Sequence, residues 1–106
     1  MSSIDVDTAS KIFLQKERRW SDGTTIHPVT LAVSEVREEF SQAVHNRSEL
    51  DLRKHWQRQI FTGRGSPPLE RPSDAAVLEY VRTTPGAIGY ISSGTRASGV
   101  KVLQLR

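Results

Sequence analysis

The histidines and carboxylates of this chain lack the spacing that catalysis or metal binding requires. None of the three histidines, His27, His45 and His55, shares a helix face with another histidine at a metal-ligand spacing. Asp51 and His55 are four residues apart and could pair on a helix, but one such pair often arises by chance. There is no G-x-S-x-G elbow or P-loop, and the absence of cysteine excludes a thiol nucleophile and a disulfide scaffold. We therefore expect a non-enzymatic protein with no cofactor and no metal.

One stretch, TLAVSEVREEF, has the residue types of an anion site. It runs from a predicted strand into a helix that begins at Ser34. The free N–H groups of a helix N-terminus, a hydroxyl and a nearby arginine together bind anions, so Ser34 and Arg37 are the candidate ligand-binding residues. This loop has no glycine, and Glu35 brings a negative charge into the first turn. An ordinary N-cap at Ser34 is therefore the alternative.

Basic side chains with interleaved aromatic residues could instead bind nucleic acid. The net charge is +3. Four basic residues are concerned: Arg53, Lys54, Arg58 and Arg64. Acidic residues are mixed through the chain, however, and Trp56 shares a helical stripe with Leu52 and Ile60, which predicts a core position. Nucleic acid is therefore not the expected partner.

Hydrophobic periodicity and capping residues predict the elements that position these side chains. Helices are expected to begin after Asp5 or Asp7, and after Ser34, Ser48 and Ser73. Strands are expected at IHPVTLAV, AIGYIS and VKVLQL, whereas the prolines and glycines of TGRGSPPLERP predict an irregular segment. Interspersed helices and strands indicate an α/β domain with a small sheet flanked by about four helices. The length of 106 residues fits a single domain over residues 1–106.

Three stretches together, KIFLQKERRWSDGTTIHPV, HWQRQIFTGRGSPP and TPGAIGYIS, resemble the phosphate-binding-protein-like family. These are relatives of the periplasmic phosphate receptors of ABC transporters, and the match covers roughly residues 8–104. The resemblance implies one lobe of a type 2 periplasmic-binding-protein-like fold, which could lack the opening strand of its relatives. The family's R-x-D/E-G-S-G-T phosphate loop falls on LAVSEV, where Ser34 corresponds and Arg37 lies one turn away.

The resemblance also implies roles for the residues of two motifs. Thr62, Gly63 and Gly65 belong to FTGRGSPP, a motif at the cleft edge or in the framework of the lobe. In PGAIGY, Gly86 ends a helix with the preceding proline, and Gly89 lets the strand pass close to a neighbour. Tyr90 packs or lines the cleft edge. Gly86 and Gly89 also have the G-x-x-G form of an RNA-binding KH loop, but a predicted strand follows them, so an architectural role is preferred.

Two functions remain open at this point. The first is a phosphate- or anion-binding module like the substrate-binding component of a phosphate ABC transporter, which implies inorganic phosphate as ligand. The alternative is a degenerate relative that has lost ligand binding and acts as a protein-interaction domain. An open sheet edge would favour a homodimer or a partner protein.

Two further expectations concern the membrane and the compartment. No apolar run approaches the ~18 residues of a membrane span. The resemblance implies the periplasm, although MSSIDVDTAS has no signal-peptide pattern, so the cytoplasm or a trimmed form is the alternative.

Overall fold

The computed structural model describes residues 3–105, which form four helices and five short strands. The helices are α1 (Val6–Phe13), α2 (Glu35–His45), α3 (Glu49–Phe61) and α4 (Asp74–Thr83). The strands are β1 (Ser3–Ile4), β2 (His27–Leu31), β3 (Leu69–Arg71), β4 (Ala87–Ile88) and β5 (Gln104–Leu105). The predicted α/β class is confirmed. Met1, Ser2 and Arg106, which the predicted single domain includes, lie outside the described residues.

Each helix begins after a polar side chain that accepts a hydrogen bond from the first turn. The caps are Asp5 to Thr8 N, Ser34 to Arg37 N, Ser48 to Asp51 N and Ser73 to Ala76 N. Each cap residue has an extended backbone, so its oxygen satisfies a backbone N–H that has no partner within the helix. The predicted helix starts are confirmed, with Asp5 rather than Asp7 capping α1.

The central strand of the larger sheet is β2, which pairs in parallel with β3 on one side and β4 on the other. Val29 lies opposite Leu69, and Pro28 lies opposite Ile88. A second, two-stranded parallel sheet joins β1 to β5. Parallel neighbours need crossover connections, and α2, α3 and α4 provide them. The arrangement puts α2 and α3 directly after the C-terminal end of β2.

Buried apolar side chains lie in two clusters. The first joins α1, α2 and the segment before β2, and consists of Ile4, Ala9, Ile12, Phe13, Ile26 and Val44. The second joins β2 to α4 through Val29, Leu31 and Val77. Tyr90, partly buried, packs against both clusters.

The strand predictions differ from the structure in their extent. TGRGSPPLERP contains β3, so its prediction as wholly irregular is wrong. Only three residues form this strand, between Pro68 and Pro72, because proline has no N–H to donate to the ladder. The sequence pattern predicts no strand before α1. This prediction is wrong, because Ser3–Ile4 forms β1. β2, β4 and β5 occupy parts of the three predicted strand segments.

Within residues 3–105, no helix is both long enough and apolar enough to cross a membrane.

Candidate functional site

A groove of about 390 Å³ lies between α2, α3 and the segment that leads into β3. Leu52 is buried at one end of the α3 wall, whereas Ile60 is 57% exposed at the other. Val33, in the loop before α2, faces the groove and is 65% exposed. The remaining apolar lining residues are Phe13, Leu14, Phe40, Trp56, Pro67, Pro68 and Tyr90. The groove therefore presents apolar side chains that the fold itself does not cover.

Trp56 is half-buried and lines this groove, so its predicted core position is wrong. The helical stripe of Leu52, Trp56 and Ile60 is present, but only its first residue is enclosed. His55 packs edge-on against Trp56, with 4.9 Å between ring centroids. The stripe continues along α3 beyond the part of the helix that the core covers.

Arg37 is held by two carboxylates at the polar end of the groove. Its Nε lies 3.0 Å from Glu49 Oε2, and its Nη1 lies 3.2 Å from Glu70 Oε1. Nη1 also donates to the backbone oxygen of Leu31 at 3.0 Å. Ser41 Oγ donates to the second oxygen of Glu49 at 2.5 Å. The positive charge of Arg37 is thus compensated within the protein.

Ser34 caps α2 and is exposed. Its Oγ accepts from the backbone N–H of Arg37 at 3.2 Å, which occupies one donor of the helix N-terminus. Glu35 and Glu38 lie in the first turn of α2, and Glu38 Oε2 accepts from the backbone N–H of Glu49 at 3.1 Å. The two predicted ligand-binding residues therefore lie close together. Two carboxylates pair with Arg37, and two more lie in the first turn of the helix that Ser34 caps.

Tyr90 contributes to the lining of the groove and to its packing. Its ring stacks on Phe40 with centroids 3.8 Å apart and contacts Phe13 edge-on at 5.8 Å. Its hydroxyl and Thr30 Oγ1 are 2.5 Å apart. Burial raises the pKa of the Tyr90 hydroxyl above its usual value. The hydroxyl is therefore protonated at neutral pH and remains a hydrogen-bonding group.

His45 also lines the groove, at the end of α2. Its Nδ1 lies 2.7 Å from Ser10 Oγ, and its ring contacts Phe40 edge-on. Burial, followed by the charge of Arg47, lowers the pKa of His45 to about 4. The imidazole is neutral at pH 7 and bonded to Ser10. Among residues 3–105, no group of three or more His, Cys, Asp or Glu residues is placed to hold a metal ion.

The FTGRGSPP residues lie at the end of α3. Thr62 is the C-cap, and its Oγ1 donates to the backbone oxygen of Arg58 at 2.8 Å. Gly63 has φ 71°, and the N–H of Arg64 donates to Gln59 O at 2.9 Å, which is a Schellman motif. Gly65 follows in the segment that leads to the groove wall. These residues end the helix and turn the chain towards β3.

The PGAIGY glycines lie where side chains would collide with the sheet. Gly86 has φ 83°, and its carbonyl accepts from Trp20 Nε1 at 3.0 Å. A Cβ on Gly86 would lie 2.2 Å from Thr25 O. A Cβ on Gly89 would lie 2.7 Å from Val29 Cγ1 and 2.8 Å from Val77 Cγ1. Both positions therefore need glycine for close packing against β2 and the segment before it.

Sequence reasoning missed the two carboxylates that hold Arg37. Glu49 follows the Ser48 cap, where an acidic residue is ordinary because it complements the helix dipole. Glu70 lies in β3, a strand that the proline-rich pattern concealed. Neither residue carries a local signal of its pairing with Arg37.

No protein-family model and no curated protein matches this chain.

Proposed function

We propose that this chain is a non-enzymatic protein-interaction module that holds an apolar segment of a partner protein in the groove along α3. One observation carries the proposal: apolar side chains remain exposed along the groove, while the arginine beside Ser34 is already neutralised. Clustered apolar surface rimmed by polar residues is typical of protein-binding sites. The proposal corresponds to a relative of the phosphate-binding-protein-like family that has lost its ligand.

Phosphate binding at Ser34 and Arg37 is less well supported by the geometry. A phosphate would have to compete with Glu49 and Glu70 for the guanidinium, at separations of 3.0 and 3.2 Å. Glu35 would add further repulsion from the first turn of α2. A dianion is disfavoured where carboxylates outnumber the available cations.

The weak basicity of His45 in the groove favours a binding role over catalysis. Thr30 bonds to Tyr90 and Ser10 bonds to His45. Within residues 3–105, every buried side-chain nitrogen and oxygen has a hydrogen-bond partner. A hydroxyl bonded to an imidazole can be a catalytic pair, but burial and the charge of Arg47 lower the pKa of His45 to about 4, which makes His45 a weak base for activating Ser10 at neutral pH.

The experiment is a selection of displayed peptides on the immobilised protein. Peptides of about 14 residues are long enough to run the length of α3 as a helix. Selected peptides should contain bulky apolar residues and should lose binding to Val33→Ser and Ile60→Ser. Both positions are exposed, so the fold should tolerate these substitutions. Val102→Ser, at a similarly exposed position outside the groove, is the matched control.

Two results would contradict the proposed function. One is an enrichment that Val33→Ser and Ile60→Ser leave unchanged, because binding would then lie elsewhere. The other is that no peptide is enriched and that phosphate selectively raises the melting temperature. That second result would restore the phosphate-binding function.

A homodimer that forms by strand pairing at the edge of the larger sheet is a separate proposal. The outer strand β3 has only three residues and lies between Pro68 and Pro72, which limits pairing with another chain. The apolar groove is therefore a better candidate than this sheet edge for the surface that binds a partner. Light scattering at increasing protein concentration measures the oligomeric state directly.

A further inference from the structure

The α3 side of the groove carries positive charge beyond the first turn of the helix, which holds Glu49 and Asp51. Residues 53–66 contain four basic side chains and no aspartate or glutamate. Arg53 lines the groove, and Lys54 and Arg58 line an open depression on the adjoining face of α3. The two surfaces meet at Gln57, which lines both. We call Arg53, Lys54 and Arg58 the basic flank.

Exposed apolar side chains lie beside the basic flank. Phe61 is 92% exposed and lines the same depression as Lys54 and Arg58. Ile60, its neighbour in the chain, faces the groove. The last two turns of α3 thus present apolar and basic groups side by side over two adjoining faces.

The opposite end of the groove has the opposite charge. Arg37 carries one positive charge, and Glu49 and Glu70 together carry two negative charges, which leaves one negative charge at that end. The groove is therefore acidic at this end, whereas the depression that adjoins it along α3 is basic. A segment that fits it must match this polarity as well as the apolar walls.

We infer that the partner segment is an acidic amphipathic one, whose apolar side chains fill the groove and whose carboxylates face the basic flank. This inference rests on the proposed function. A second copy of the chain fits less well, because the carboxylates that its groove could offer to the basic flank, Glu49 and Glu70, are already paired with Arg37. Nucleic acid fits less well because its phosphates would meet Glu70 at the other end of the groove.

The test uses the displayed peptide selection with the net charge of the enriched peptides as the readout. We expect an excess of Asp and Glu over Lys and Arg among peptides whose binding requires Val33 and Ile60. A synthetic copy of one such acidic peptide should bind Lys54→Glu/Arg58→Glu about tenfold more weakly than the unmodified protein. Arg96→Glu/Lys101→Glu makes the same change in net charge outside the groove and should change affinity less than about twofold.

The outcomes separate this inference from the function on which it rests. Groove-dependent peptides with no acidic excess would overturn the inference and leave the interaction function standing. No groove-dependent peptide would overturn both. The protein could also bind oligo(dT), or phosphatidylglycerol–phosphatidylcholine vesicles, more tightly than it binds the acidic peptide. If Lys54→Glu/Arg58→Glu abolished that tighter binding, the inference would be overturned. The basic flank would then serve nucleic acid or a membrane surface.

Discussion

Arg37 and Glu49 form an ion pair at the polar end of the groove, with Nε 3.0 Å from Oε2 and side chains only 18% and 15% exposed. The pair joins α2 to the first turn of α3, and Glu70 extends it to β3. Three consecutive elements of the chain are thereby fixed around one guanidinium. Arg37 thus links the elements that form the groove, and its guanidinium is paired with two carboxylates.

Removal of the guanidinium should destabilise the fold. Arg37→Ala leaves Glu49 largely buried without its partner, and a cost of about 2–3 kcal/mol is expected. Lys11→Ala, which removes the exposed pair of Lys11 with Asp7, is the control and should cost less than about 1 kcal/mol. Urea unfolding measures both. Equal losses for the two variants would show that the Arg37 pair is no stronger than a surface pair.

Phosphate should leave the melting temperature unchanged. A ligand with a dissociation constant of about 100 µM, present at about 1 mM, would add about 1.4 kcal/mol, which a thermal melt detects easily. Sulfate and chloride at matched ionic strength are the controls. Ser34→Ala should cost about 1 kcal/mol through loss of the α2 cap, whether or not phosphate is present. A phosphate-selective rise that Ser34→Ala abolishes would establish an anion site.

Gly89→Ala should destabilise the fold by about 1–3 kcal/mol because the new Cβ overlaps two packed methyl groups. Val29 and Val77 are both buried, so neither can move aside without disturbing the core. Gly94→Ala is the matched control, since nothing lies within 4 Å of a Cβ there. Thermal melts of the two variants give the comparison. A neutral Gly89→Ala would mean that the β2–α4 packing is looser than described.

His45 should make stability fall as the pH decreases. The unfolded chain binds a proton near pH 6.5, whereas folded His45 binds it only near pH 4 because of burial and the charge of Arg47. Between these values the unfolded state holds more protons, so stability present above pH 6.5 is lost as the pH falls towards 4. His55 adds to the depression of this pKa, and Glu49 opposes it.

The size of this effect is measured by urea unfolding between about pH 7 and pH 4. Partial exposure reduces the contribution of His45 to about 1–2 kcal/mol. His45→Gln should flatten the pH profile over this range, whereas His27→Gln, at an exposed position of β2, should not. Parallel profiles for the unmodified protein and His45→Gln would contradict the assignment.

The helix starts were predictable from sequence because a cap is a local interaction. Ser34, Ser48 and Ser73 each bond to a backbone N–H three residues later, so a short window contains the signal. The short strands were not predictable in the same way. Ser3–Ile4 is a strand only because Gln104–Leu105 lies beside it, and this pairing joins the two ends of the described chain.

The groove was only partly predictable for the same reason. The stripe of Leu52, Trp56 and Ile60 is visible in the sequence, but how much of it the fold covers depends on where α2 and β3 end. The proximity of Arg37 to Ser34 follows from their spacing. The contacts of Arg37 with Glu49 and Glu70 depend on tertiary packing, and those contacts change the interpretation of the site.

Amide proton–nitrogen correlation spectra test the central claim most directly. Two additions are made to separate samples: inorganic phosphate, and a peptide enriched by the displayed selection. We predict that the peptide shifts the indole signal of Trp56 and the amides of Val33 and Ile60, while phosphate leaves the amides of Glu35 and Val36 in place. Phosphate-dependent shifts at Glu35 and Val36, with the Trp56 indole unmoved by the peptide, would contradict the account and return the function to anion binding.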